Sequence, residues 1–360
     1  MPESYIEPMT DRQTCFKCNK TVTGKKKLSK CSRCHAITYC GKECQVADWP
    51  RHSWNCVPVM VTEIPGKGRG LVAARDIKKG EKIFTDYALI KLPPVPKGLP
   101  DIQHYLKSLK KQFKNMHDEA KSQFLKLNSE EFHTHTYRTV ASITSQRDYK
   151  IFKLYMRNST ESTEGSTTFF LNYALINHSC APNAYDIIKK SRNSEEDDDE
   201  RVELRAIKHI SKGEEINNFY FSDVKKFGST QRKWKAEIKK DLGFDCKCPV
   251  CLGQLPCQEK TLKKLIELHN KLDPTPSDWE RDAGIRDRIV DLTLQLYMGK
   301  HTEKIVALQN LAFSGHNAGN LGLVRKAQDK LKQMSEDTKL DWIQGLLNDM
   351  ERQFASNTLD

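Results

Sequence analysis

The stretch "CFKCNKTVTGKKKLSKCSRCHAITYCGKECQVADWPRHSWNC", Cys15 to Cys56, holds seven of the chain's 12 cysteines. Cysteines at that density belong either to a disulfide framework or to metal sites, and the rest of the chain decides between them. The N-terminal "MPESYIEPMTDRQT" (1–14) has no apolar segment of the kind a secretory signal requires. No run of about 18 apolar residues occurs, so no membrane-spanning helix is expected. A chain of 360 residues can bury an adequate core without covalent staples. Clustered C-x2-C pairs in an intracellular protein therefore read as metal sites, with cytoplasm and nucleus both open as locations.

The spacing runs Cys15-x2-Cys18, Cys31-x2-Cys34, Cys40-x3-Cys44 and His52-x3-Cys56. Such pairs sit on a knuckle or one helical turn, and close sulfur and nitrogen ligands suit tetrahedral zinc. Eight ligands make two sites; His35 is set aside as a surface residue. Farther on, "FDCKCPVC" supplies Cys246, Cys248 and Cys251, one ligand short of a four-coordinate structural site. Cys180, in "NHSCAPN" (177–183), is the candidate fourth. Eleven cysteines and one histidine then fill three sites, and Cys257 is left as a free surface thiol.

The finger's order of pairs, with its Trp-rich end "DWPRHSWNC", resembles a MYND zinc finger. "NHSCAPN", "GEEINNFY" (213–220) and "CKCPVC" (246–251) resemble the core of a SET domain and its post-SET zinc knuckle. "GKGRGLVAARDIKKGEKIF" (66–84) resembles the SET N-terminal segment. In this order they resemble the SET-and-MYND family of protein-lysine methyltransferases, over roughly residues 15–255. The resemblance implies an interleaved finger, with Cys15, Cys18, Cys40 and Cys44 in one site and Cys31, Cys34, His52 and Cys56 in the other. It also implies three zinc ions, S-adenosylmethionine as cofactor, and transfer of its methyl group to a lysine of a histone or another protein.

That chemistry can be weighed on the residues. In-line displacement needs no phosphate loop and no nucleophilic triad. "GKGRG" packs three glycines into five residues, a loop that lets backbone amides approach a ligand. By position in the family, Lys67, Gly68 and Arg69 line the cofactor. Asn177 and His178 bind it through backbone and side-chain groups, and Asn158 in "KLYMRNST" touches it too. Tyr220 is the expected catalytic residue and also faces the cofactor. Its hydroxyl, near the methyl, orients the amine. Phe244 matches the aromatic that closes over cofactor and lysine channel.

Three positions depart from the family pattern: Leu242 where Tyr is frequent, Ala174 where Ser is frequent, and Thr160 where an aromatic often follows; the first and last thin the aromatic wall. The finger also precedes the glycine loop, where the best-known relatives insert it after. These keep a second reading open: a catalytically weak SET/MYND scaffold that binds proline-rich partners at the finger and regulates transcription.

The expected fold class is α+β: a SET β-fold with a helical insert, an N-terminal MYND finger, a post-SET zinc knuckle and a C-terminal α-helical domain. The expected divisions are an extension over 1–14, the finger over 15–56, SET over 57–240 with the insert at about 101–157, the knuckle over 241–257 and helices over 258–360. Ile285, Ile289, Leu292 and Leu296, then Leu340, Ile343, Leu347, Met350 and Phe354, recur at steps of 3 or 4 and predict about five helices there. "SRNSEEDDDERV" (191–202) reads as a solvated hairpin loop. Eleven ligand thiolates and three Zn2+ ions bring the formal +12 down to +7. Lys17, Arg33, Lys42 and Lys247 sit beside ligands and offset thiolate charge. A basic balance suits chromatin or DNA but equally plain solubility, and "KKKLSK" (25–30) is too short to establish a nuclear signal. A monomer without membrane contact is expected.

Overall fold

The computed structural model describes residues 14–21, 28–53, 56–96, 98–128, 135–161, 166–190, 200–221, 230–296, 301–338 and 341–356. The finger consists of a minimal ribbon, β1 (Ser29–Lys30) with β2 (Thr38–Tyr39), and helix α1 (Lys42–His52). Its core is almost entirely cysteine, with Tyr39 buried among Cys15, Cys31 and Cys34. So small a core cannot hold itself together, and the metal clusters must do so. Asn19 and His35 follow the two C-x2-C pairs at equivalent places. Each takes a left-handed φ (56° and 59°), and each donates its amide to the carbonyl of the first cysteine of its pair, at 2.9 Å.

A hairpin of β3 (Val59–Ile64) and β4 (Gly68–Ala73) carries the glycine loop at its tip. Next come β5 (Lys82–Tyr87) and β6 (Ile90–Leu92). Four helices then intervene: α2 (Leu99–Asn115), α3 (Asp118–Leu125), α4 (His135–Ile143) and α5 (Gln146–Asn158). The chain re-enters β structure through β7 (Ser159–Glu161) and β8 (Thr167–Phe169). The sheet order β6-β8-β7 means that the insert leaves and returns at one small sheet. Ile102, Tyr105, Leu106, Leu109 and Phe113 give α2 its buried stripe, in one core with Ile151, Phe152, Leu154 and Tyr155 of α5.

A 3-10 turn, Tyr173–Leu175, leads into β9 (Asn177–His178). The hairpin of β10 (Ala184–Lys190) and β11 (Glu200–Ala206) extends to β5 in an antiparallel sheet. The acidic run joining its strands lies outside the described residues up to Glu200. Strand β12 (Asn217–Asn218) then pairs in parallel with β9, Asn217 opposite Asn177. A parallel pair cannot be closed by a tight turn; the β10–β11 hairpin lies between the two strands, and a side chain fastens its start to β12. Asn183 does this: its amide donates to the Glu215 carbonyl at 2.8 Å and its Oδ1 accepts from Asn217 N at 2.8 Å. Asp86, fully buried on β5, fixes the 3-10 turn by accepting the Asn172 and Tyr173 amides at 2.6 and 3.0 Å. Burial pushes its carboxyl up to about 7 against the pull of those donors.

Helix α6 (Gln231–Leu242) starts on a Thr230 cap and ends on Gly243 at φ 73°. Five further helices follow among the described residues: α7 (Glu259–His269), α8 (Trp279–Gln295), α9 (His301–Asn317), α10 (Leu321–Thr338) and α11 (Asp341–Ser356). Leu262, Leu265 and Leu268 of α7 and Ile289 of α8 pack on the Cys180 region. The stripe expected on the last helix is seated from Ile343 to Met350, whereas Leu340 lies outside the described residues.

Phe124 ties the insert to the sheet, with ring centroids 5.3 Å from Phe113 and 4.9 Å from Phe169, and is fully buried. Phe124→Ala should cost about 3–5 kcal/mol. Denaturant unfolding showing a loss below about 1 kcal/mol would mean that the insert is not seated by this ring.

Candidate active site and metal centres

Twelve ligand residues gather into three groups of four: Cys15, Cys18, Cys40 and Cys44; Cys31, Cys34, His52 and Cys56; and Cys180, Cys246, Cys248 and Cys251. Within each group all ligand atoms lie within 4.8 Å of one another. A tetrahedral zinc with about 2.3 Å Zn–S bonds implies S···S edges of about 3.8 Å. The observed separations fit: Cys18–Cys40 3.7 Å, Cys31–Cys56 3.8 Å, Cys34 to His52 Nε2 3.6 Å and Cys180–Cys251 3.6 Å. The finger's grouping is interleaved, and α1 joins its halves by carrying Cys44 in its first turn and His52 in its last. Thiols this close cannot all ionise without a cation, because each thiolate repels the next. A bound dication lets all of them ionise.

The finger is fastened to the neighbouring strands by Arg75. Its Nε donates to the Arg33 carbonyl, inside the second knuckle, at 3.0 Å, and its Nη2 to Glu81 at 2.7 Å.

Lys67, Gly68, Arg69, Asn158, Asn177, His178, Tyr220 and Phe244 all line one cleft of about 760 Å3. That is within the range of about 300–1,000 Å3 usual for small-molecule sites. Leu242, Ala174 and Thr160 line the same cleft, so the departures noted in the sequence fall on its wall. The glycine loop is shaped by positive φ at Gly66 and Gly68 (72° and 77°). At Gly70 a Cβ would stand 2.6 Å from the Asn177 amide nitrogen, so only glycine lets the loop approach β9 this closely. Lys247, between two ligand cysteines, reaches across so that its Nζ lies 2.9 Å from a Cβ placed on Gly66.

The cleft's polar atoms are partly committed. Lys67 pairs with Glu215 at 2.6 Å. Glu215 also accepts from the Asn177 amide at 3.0 Å. Arg69 Nη1 donates to Gln123 of α3 at 3.1 Å, whereas its buried Nη2 has no partner among the described residues. Desolvation lowers the Arg69 pKa. The Asn158 amide donates to the Asn128 and Leu154 carbonyls at 3.0 and 2.8 Å, leaving Oδ1 as its acceptor. Tyr220 exposes 43 % of its surface, yet its hydroxyl donates to the Ile176 carbonyl. Desolvation of that hydroxyl raises its pKa, with the Arg157 charge opposing, so it stays a phenol.

The family description of the SET domain matches residues 68–221, and that of the MYND finger matches residues 15–56. The chain carries a MYND finger followed by a SET domain. It is 25 % identical over 279 residues to mouse "Histone-lysine N-methyltransferase Smyd1", covering 76 % of this chain and 53 % of that protein. With "N-lysine methyltransferase SMYD2-B" of Xenopus laevis it shares 23 % over 282 residues, covering 78 % and 60 %. Mouse "Histone-lysine N-methyltransferase SMYD3" gives 24 % over 284 residues, covering 73 % and 59 %. The chain thus spans 53 to 60 % of the length of these relatives. The solved SET domain of LSMT bound to lysine and AdoHcy overlays 86 % of this chain and 92 % of that one at 12 % identity. Its TM-score of 0.35 is too low to bear on fold or function.

For this SET-and-MYND protein two expectations need correction. The His178 side chain does not face the cleft as a free ligand group. It is buried, its Nδ1 accepts from Tyr220 N at 3.2 Å, and its Nε2 lies 3.5 Å from Cys180 Sγ. Both ring nitrogens are thus engaged within the protein. Cys257 is not an open surface thiol either. It is half-buried against the Cys180 region, and desolvation, with Glu259 nearby, pushes its pKa up to about 11, which makes it a poor nucleophile at neutral pH. Sequence reading also missed Glu215, Asn183 and Arg157. The first two stand in or beside quoted motifs, but a lone carboxylate or amide carries no spacing signal. Arg157, next to Asn158, donates to the Leu242 carbonyl and so joins the insert to α6.

The purified protein should carry three zinc ions per chain, and Cys180→Ser should carry two. Elemental analysis giving the same content for both would remove Cys180 from the ligand set.

Proposed function

We propose that the chain is an S-adenosylmethionine-dependent protein-lysine N-methyltransferase, with the cleft as its active site and the MYND finger as a docking module for proline-rich partners. The observation that carries this reading is the convergence of the glycine loop, Asn158, β9, Tyr220 and Phe244 on one cleft beside a four-cysteine cluster. Bound S-adenosylmethionine supplies a sulfonium-activated methyl group.

The chain's own residues suit the rest. Arg69 Nη2, buried and unpartnered among the described residues, fits the carboxylate of an amino-acid ligand. Asn158 Oδ1 fits its ammonium. The backbone of Asn177 and His178 remains to read the base, and the Phe244 ring covers it. Tyr220, by donating to the Ile176 carbonyl, keeps its oxygen lone pairs for an incoming amine. A lysine must be neutral to accept a methyl group, which from an unperturbed pKa near 10.4 costs about 4.6 kcal/mol at pH 7. A wall of Ala174, Leu175, Leu242 and Phe244 desolvates the amine and lowers that cost. No dedicated base is needed.

The three small or aliphatic wall residues favour a second reading, a scaffold with residual activity. Tyr220→Phe separates the two. The ring stays, the fold should lose about 1 kcal/mol for one buried hydrogen bond, and cofactor affinity should change little. Turnover on a protein panel should fall by roughly 10²-fold, as for loss of one preorganised polar contact. Equal turnover by wild type and variant would remove Tyr220 from catalysis. Cofactor binding by both, with transfer by neither, would support the scaffold.

A further inference from the structure

Among the described residues, the His178 imidazole is the polar side chain that stands between the third metal cluster and the tyrosine of the cleft. Its residue is 3 % exposed, and the ring is enclosed by Phe219, Tyr220, Phe221 and Phe244, with ring centroids 5.3 to 6.3 Å away. Two contacts at its ring nitrogens, beside the Cys246 thiol that the ring also meets, define its chemistry. A backbone N–H can only donate, so the Tyr220 amide at 3.2 Å requires a lone pair on Nδ1. A neutral imidazole with a lone pair on Nδ1 carries its proton on Nε2, and Nε2 lies 3.5 Å from Cys180 Sγ. That sulfur belongs to the buried group of Cys180, Cys246, Cys248 and Cys251. As a metal-bound thiolate it accepts the Nε2 proton, and a ligand held in this way keeps its orientation.

We propose that His178 is a positioning residue that couples the third metal centre to Tyr220. Its Nε2–H donates to the Cys180 thiolate, and its Nδ1 holds the Tyr220 amide. The tie acts on the backbone of the residue whose hydroxyl faces the reacting amine, so this role rests on the methyltransferase reading for its consequence but not for its existence. Cys180 is fixed from two directions, by the metal and by an imidazole whose tautomer is set by the backbone leaving β12.

The test uses the zinc-loaded full chain and reads no methyl transfer, so its failure is distinguishable from failure of the functional reading. Nitrogen-15 spectra of the imidazole should show the lone pair on Nδ1 and the proton on Nε2; a proton on Nδ1 overturns the proposal. Two variants divide the two contacts. His178→Asn keeps an acceptor near the Nδ1 position and removes the donor to Cys180. Zinc should then leave the third site to a chelator at least about tenfold faster, while hydrogen exchange at the Tyr220 amide changes less than about twofold. His178→Gln keeps a donor near the Nε2 position and removes the acceptor. The Tyr220 amide should then exchange at least about tenfold faster, with zinc retained. Equal loss of both readouts in both variants would show plain core packing, and no change in either would show no coupling; both outcomes overturn the proposal. Should neither variant fold, the tautomer in the unaltered protein decides.

Discussion

The group formed by Cys180 with Cys246, Cys248 and Cys251 is the constraint on which the cleft depends. It brings together sulfurs 71 residues apart in sequence, 3.6 Å from each other. On one side it fixes the end of β9, whose residues carry the backbone proposed to meet the cofactor. On the other it fixes the segment that begins at Phe244 and supplies the cleft's aromatic wall. Trp234 of α6 and the apolar faces of α7 and α8 pack around the same group. A parallel pair of only two residues, β9 with β12, has little ladder of its own. The metal cluster, the Asn183 clamp and the His178 contacts supply the rest.

Charge in the cleft is arranged in local pairs. Lys67 is neutralised by Glu215, which also holds Asn177, so one carboxylate ties the glycine loop to β9. Arg69 is braced by the helical insert through Gln123 and keeps one nitrogen unpaired among the described residues. The insert thereby acts on the site from behind, and Arg157 brings it to Leu242 as well. The finger stands apart from this network; its described side-chain link to the following strands runs through Arg75 and the Arg33 carbonyl.

Much of this was legible in sequence because metal ligands and glycine loops obey spacing rules. Cys44 stands in the first turn of α1 and His52 at its last residue, and the gap left by Cys246, Cys248 and Cys251 pointed to Cys180. The stripe from Ile343 to Met350 needed only the helical period. Side-chain direction was less accessible. His178 sits in a motif that places its backbone at the cleft, and the same short strand turns its imidazole toward the Cys180 thiol. Cys257 carried no spacing signal, and its burial comes from its packing with the knuckle and the helices around it. Glu215, Asn183 and Asp86 act through hydrogen bonds across long sequence separations, which no periodicity encodes.

The central claim is that the third metal centre organises the cofactor cleft. Cys248 shares that centre with Cys180 and is not among the residues that line the cleft. Calorimetric titration of S-adenosylmethionine into Cys248→Ser, prepared with both finger zinc sites filled, measures the dependence directly. An affinity at least about tenfold weaker than that of the unaltered protein is predicted, as for loss of metal-site support. Undiminished affinity in a protein shown to hold only two zinc ions would contradict the account.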